Sequence, residues 1–155
     1  IGINSLSSFG NIFHGIFPVY IDTIVTIILW VWIINLTNFM DGIDGITGAE
    51  GFFIFLGAII LLSLITNSLD IEKKFYTVLF LSVLLGSLVG FLIWNWHPAK
   101  IFLGDVGSIP IGFIFGWVVF ELSNYGLWHV SILLPMYYFL DAVDFEHPDK
   151  LTIAL

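Results

Sequence analysis

Asn35-Leu-Thr-Asn38-Phe-Met-Asp41-Gly42-Ile-Asp44-Gly45-Ile-Thr-Gly48-Ala-Glu50-Gly51 stands between two apolar runs and decides how the chain reads. Its glycines fall at every third position, which predicts a sharply bending loop able to bring backbone N–H groups close to a ligand. Its three carboxylates face little local positive charge, so they are expected either to sit in water or to hold a cation. A second polar island, Asn95-Trp-His97-Pro-Ala-Lys100-Ile-Phe102-Leu-Gly104-Asp105-Val-Gly107-Ser108, reads as its partner.

The surroundings set the solvent. Of 155 residues 59% are hydrophobic and 10% charged, and the apolar excess is gathered in runs. That pattern predicts an all-α, multi-span transmembrane bundle, a single integral membrane domain over 1–155. Five apolar segments are expected: Tyr20 to Ile34, Phe52 to Thr66, Tyr76 to Trp94, Ile109 to Leu122, and Leu127 to Leu140 broken by Pro135. Trp30 and Trp32 suit a membrane interface. Gly86 and Gly90 form a small-xxx-small face on which another helix could pack closely. Residues 1–19, with His14, read as an irregular or interfacial lead-in, and Glu121 as an acid at the membrane edge.

Charge excludes some functions. The net charge is −8, with four Lys or Arg in all and no basic run, so nucleic-acid binding is not expected. Without cysteine there is neither a disulfide nor a thiolate metal site. Lys73 and Lys74 lie on the opposite side from Lys100 and Lys150, so the positive-inside count is a tie. Acids kept at span ends argue against a transporter or channel, in which intramembrane charges mark the path.

Two crossings separate the islands, and an even number returns the chain to the same face. Residues 35–51 and 95–108 can therefore meet. Asp41 and Asp44 could form a carboxylate pair with Asp105 as a third member, and such hard oxygens suit Mg²⁺ shared with substrate phosphates. The Asp41 stretch is not an EF-hand, because Phe52 occupies the twelfth position where Glu is required. The Gly104-to-Ser108 segment could wrap amides around a phosphate. His97 and Lys100 stand nearby, and Phe102 could offer a flat face to a base. Asp-Gly-x-Asp-Gly alone is a common turn. The joint occurrence of both islands in a multi-span protein carries the functional reading.

Taken together, Asn35-x-x-Asn38-x-x-Asp41-Gly-x-Asp44-Gly45 and Asn95-x-His97-Pro98-Ala99-Lys100-x-Phe102-Leu103-Gly104-Asp105-x-Gly107-Ser108 resemble the polyprenyl-phosphate N-acetylhexosamine-1-phosphate transferases. The His-Pro-Ala-Lys form is more similar to the undecaprenyl-phosphate N-acetylglucosamine 1-phosphate transferases than to the phospho-N-acetylmuramoyl-pentapeptide transferases. The resemblance implies transfer of a sugar 1-phosphate from a UDP-sugar to undecaprenyl phosphate, with Mg²⁺, at the cytoplasmic face of the inner membrane. It implies Asp105 and Asn38 as metal ligands and Asp41 and Asp44 as catalytic residues. Asn35, Phe102, Gly104, His97 and Lys100 would bind substrate, with Phe102 on uracil and Asp41 holding the loop or aiding the lipid phosphate.

Two family features are not in this chain: an adjacent Asp-Asp pair on an earlier helix, and a His-rich C-terminal motif following an Arg-rich segment. Asp141-Ala142 begins in the family manner, but residues 143–155, with the single His147, do not continue it. The expectation is a truncated chain, inactive alone or dependent on a complementary fragment, with a homodimer as the other protein partner.

Overall fold

The structure, a computed structural model, describes residues 17–65, 71–136 and 140. The expectations placed on His14 and on the tail from Asp141, His147 included, fall outside the described residues. Those described form α1 (Val19–Met40), α2 (Ile46–Leu64), α3 (Ile71–Asn95), α4 (Gly104–Asn124) and a short α5 (Trp128–Leu133). The first four are long and apolar enough to cross a membrane. At about 1.5 Å per residue even the 19-residue α2 extends about 28 Å, close to the hydrocarbon thickness of about 30 Å.

The helices outrun the apolar segments that announced them. α1 continues past Ile34 to Met40, because its polar residues bond back along the helix. Asn35 Nδ2 donates to the Val31 carbonyl and Thr37 Oγ1 to that of Ile33. The first island is therefore not a seventeen-residue loop but a turn at 41–45. Gly45, at φ +77°, supplies the left-handed conformation that starts α2. Gly48 and Gly51 lie inside α2 and serve packing instead. A Cβ on Gly48 would stand 2.7 Å from Leu92, and one on Gly51 2.6 Å from Leu88. The Gly104-to-Ser108 segment is likewise the first turn of α4.

The fifth run, Leu127 to Leu140, is described only in part. α5 has six residues, two residues short of Pro135, and does not itself cross. Nothing lies within 4 Å of a Cβ built on Gly86 or Gly90, so the close approach expected there is not made among the described residues.

Two antiparallel pairs build the bundle. α1 packs along α4, and α2 along α3. Lipid offers helices little hydrophobic incentive to associate, so small residues and polar bonds must draw them together. In the first pair, Gly112 meets the backbone of Ile34, and Gly116 the indole of Trp30. Trp30 Nε1 also donates to the Phe113 carbonyl at 3.0 Å. The pairs join through α2 and α4, where Phe55 meets Phe115 edge to face at 5.6 Å, beside buried Ala58, Leu62, Val118 and Leu122. Large apolar side chains such as Ile28, Val31, Val83 and Ile93 face outward, as a lipid solvent requires.

Glu121 lies near the end of α4 and is buried there, and Lys73 Nζ reaches it at 2.8 Å. This ion pair ties α3 to α4 at the end of the bundle away from the polar turns.

Candidate active site

The two polar islands meet at one end of the bundle, as the even crossing count required. They form two adjoining clusters.

The first cluster belongs to the α1–α4 pair. Asn38, in the last turn of α1, donates from Nδ2 to Asp105 Oδ1 at 2.9 Å and to Ser108 Oγ at 2.8 Å. Asp105 and Ser108 lie in the first turns of α4, where a helix N-terminus favours negative charge. Asp105 is solvent-exposed and Ser108 fully buried. Asn38 thus meets Asp105 through its amide nitrogen and orients the carboxylate. Asp41 follows directly after α1. Partial burial pushes its pKa up, while the Thr47 hydroxyl and the Gly104 backbone act the other way and the Asp105 charge adds to the rise. Asp41 and Asp105 therefore stand close enough to repel one another.

The second cluster belongs to the α2–α3 pair. Asp44 Oδ2 accepts from His97 Nδ1 at 3.0 Å and from the Ala99 N–H at 3.1 Å. Asn95 is the staple beneath it. Its Oδ1 accepts from the Gly45 N–H at 3.0 Å, and its Nδ2 donates to the Ile101 carbonyl at 2.9 Å. Asn95 is buried and both ends of its amide are used, so it fixes the first turn against the second.

The Ala99 N–H, and after it His97, hold the Asp44 carboxyl below its ordinary value of 3.8. A lowered acid stabilises the fold fully above the ordinary value and loses that contribution as pH falls through the folded value. Asp44→Asn is expected to melt below wild type at neutral pH, with the gap closing below pH 3.8. Parallel melting curves at both pH values would show that the contact is idle.

Of the remaining expected residues, Gly104 touches the first cluster through its backbone, at Asp41. Phe102 is 73% exposed on the segment leading into α4. Gly104 opens α4 at φ +61°. Lys100 is exposed, with Nζ 5.4 Å from the Trp94 ring centroid. Asn35 is turned back onto its own helix. Sequence reading did not single out Asn95, Ser108 or Glu50. The first two carried a signal, since each lies in the second motif; Glu50 was grouped with the loop acids but is buried within α2. A cavity of about 630 Å³ opens beside the second cluster, with Asp44, His97, Trp96 and Glu50 among its walls. An apolar groove of about 440 Å³ adjoins it, sharing Phe53 and Trp96.

Among the described residues no three His, Cys, Asp or Glu side chains gather as a closed metal cage. The carboxylates of the first cluster, Asp41 and Asp105, could hold a hard cation only with ligand oxygens completing the shell.

Comparison with known proteins gives the family. The profile described as Glycosyl transferase family 4 matches residues 1–123. Over 114 residues the chain is 33% identical to the phospho-N-acetylmuramoyl-pentapeptide-transferase of Streptococcus uberis, covering 72% of this chain and 30% of that protein. Over 151 residues it is 29% identical to the protein of the same name from Streptococcus mutans, covering 89% and 41%. A third, from Kosmotoga olearia, is 40% identical over 78 residues, covering 50% and 21%. The chain thus spans 30% to 41% of the length of the first two relatives. No solved structure matches it. With its two motifs joined at one end of a multi-pass membrane bundle, and a profile match over most of its length, this chain belongs to glycosyl transferase family 4.

Proposed function

We propose that this chain carries the nucleotide-sugar end of a membrane transferase that moves a sugar 1-phosphate from a UDP-sugar to undecaprenyl phosphate, releasing UMP. The observation that carries the reading is the contact of Asn38 with Asp105, 67 positions apart, at the bundle end where Asp41 closes α1 and Asp44 meets His97. The setting is cell-envelope polysaccharide synthesis, such as lipopolysaccharide or cell wall biogenesis. The polar turns face the cytoplasm from the inner membrane.

The donor set supports Mg²⁺. Asp105 and Asp41 offer hard oxygens, and their mutual repulsion is relieved by a divalent cation. Bound there, Mg²⁺ supplies positive charge against the pyrophosphate and the departing UMP. Asn38 holds Asp105 toward that position. The exposed Phe102 ring presents a face to uracil, and His97 and Lys100 offer a hydrogen bond and a positive charge to the anionic donor. Asp44 fixes the two turns relative to each other through Ala99 and His97. The lipid phosphate is already a nucleophile at neutral pH, so these residues act by alignment rather than by deprotonation.

The donor sugar is N-acetylglucosamine on the His-Pro-Ala-Lys form. The names of the matched relatives favour a second reading, in which the donor carries N-acetylmuramoyl-pentapeptide. UMP release in membranes containing this chain, with each UDP-sugar in turn and with and without Mg²⁺, tests both. Release with neither donor while UDP-sugar still binds leaves a binding protein rather than a transferase. Phe102→Ala is expected to weaken uridine recognition by about 1–3 kcal/mol, the range for base–aromatic stacking. Equal UDP affinity in both proteins removes Phe102 from the pocket.

A further inference from the structure

Glu50 has no part in the scheme above, yet its surroundings ask for a ligand. It lies in the second turn of α2 and is 6% exposed. Its Oε1 is shielded from solvent and takes part in no hydrogen bond among the described residues. The described lysines are engaged elsewhere: Lys73 with Glu121, Lys74 with the Ile65 carbonyl, and Lys100 over Trp94. A buried carboxylate oxygen without a partner costs folding free energy, and such costs gather where a protein meets its substrate.

The same side chain lines the 630 Å³ cavity, in company with Asp44, Phe53, Trp96, His97 and Leu134. That volume suits a small ligand, and an apolar wall with a few polar groups is how such sites are built. Asp44 already accepts two hydrogen bonds, from His97 and Ala99. Glu50 is left as the acceptor not yet used. Two carboxyl groups line this cavity and no lysine does, so its Glu50 side suits an uncharged group better than a phosphate. An uncharged group that carries O–H or N–H donors fits.

We propose that Glu50 is a specificity-determining residue, accepting a hydrogen bond from a hydroxyl or acylamino N–H of the donor's sugar, which occupies this cavity. The assignment rests on the nucleotide-sugar reading and adds to it the seat of the sugar.

The test compares wild type, Glu50→Gln and Glu50→Met, each as the full chain in lipid nanodiscs with Mg²⁺. UDP-N-acetylglucosamine and UDP are titrated separately, and melting temperatures are taken without ligand. Glu50→Met is expected to lose at least ten times more affinity for the UDP-sugar than for UDP. Glu50→Gln, which keeps an acceptor oxygen, stays within about threefold of wild type for the UDP-sugar. The ligand-free Met variant melts at or above wild type, because an apolar group of similar shape replaces a carboxyl without a partner. Melting below wild type in both variants marks a structural carboxyl and overturns the proposal. So does unchanged UDP-sugar affinity in Glu50→Met, or an equal loss for UDP, which would place the base there instead. In those outcomes wild type still binds UDP-N-acetylglucosamine and the nucleotide-sugar reading stands. If wild type binds neither ligand, that reading fails and the Glu50 assignment fails with it.

Discussion

Asp105→Asn is expected to remove Mg²⁺-dependent binding of UDP-N-acetylglucosamine, with a loss of at least about 100-fold. Groups that merely support a metal ligand are worth about 10–100-fold, and Asp105 is proposed as a ligand itself. The substitution is conservative in every other respect. Asparagine keeps the size of the side chain and an oxygen for Asn38 Nδ2, and Asp105 is exposed, so the fold has little reason to respond. The metal-free control has the opposite sign. Without Mg²⁺ the charge of Asp105 only repels a nucleotide diphosphate, so the variant binds UDP at least as well as wild type. Titrations with and without Mg²⁺ read both effects. A variant with unaltered Mg²⁺ dependence would move the cation away from Asp105.

Gly112→Val is expected to damage fold and site together. A Cβ at Gly112 would stand 2.9 Å from the Ile34 Cα and 3.0 Å from the Thr37 Cβ. The first obstacle is backbone, so no rotamer change relieves it, and α1 must move off α4. Overpacking costs about 1–3 kcal/mol, and a clash with main chain belongs at the upper end. Asn38 follows Thr37 directly, and Ser108 lies one turn before Gly112. The same displacement parts Asn38 from Asp105 and Ser108, so Mg²⁺-dependent binding falls as well. Gly86→Val is the control. It has open space around it, and a change within about 0.5 kcal/mol is expected. Denaturation in detergent measures both variants, and equal stability would mean that α1 and α4 are not held at this spacing.

Much of this site could be read from the chain because crossing number is a parity. Two spans between the islands place Asn38 and Asp105 at one end, whatever the exact helix boundaries. The length of each island was less legible. Asn35 and Thr37 look like loop residues, but near a helix end they bond back to Val31 and Ile33 and let α1 continue. Glycine spacing was ambiguous for a related reason. A glycine every third residue suits a bending loop, yet Gly48 and Gly51 are small because Leu92 and Leu88 sit against them. Glu50 looked like one more water-facing acid, since no local pattern tells that a cavity wall will cover it. Asn95 was visible as part of a motif, but its role in clamping Gly45 depends on a partner 50 residues away.

Each cluster draws one side from before residue 65 and the other from after residue 94: Asn38 with Asp105 and Ser108, and Asp44 with His97 and Ala99. During synthesis α1 and α2 leave the ribosome before α3 and α4, so the acidic turn between them has neither His97 nor Asp105 yet to meet. Asp41 and Asp44 must then wait hydrated at the bilayer surface while α3 and the start of α4 are translated. The polar end is therefore a late product of membrane insertion of these helices, and it waits on the same two partners, α3 and α4, that α2 and α1 need for packing.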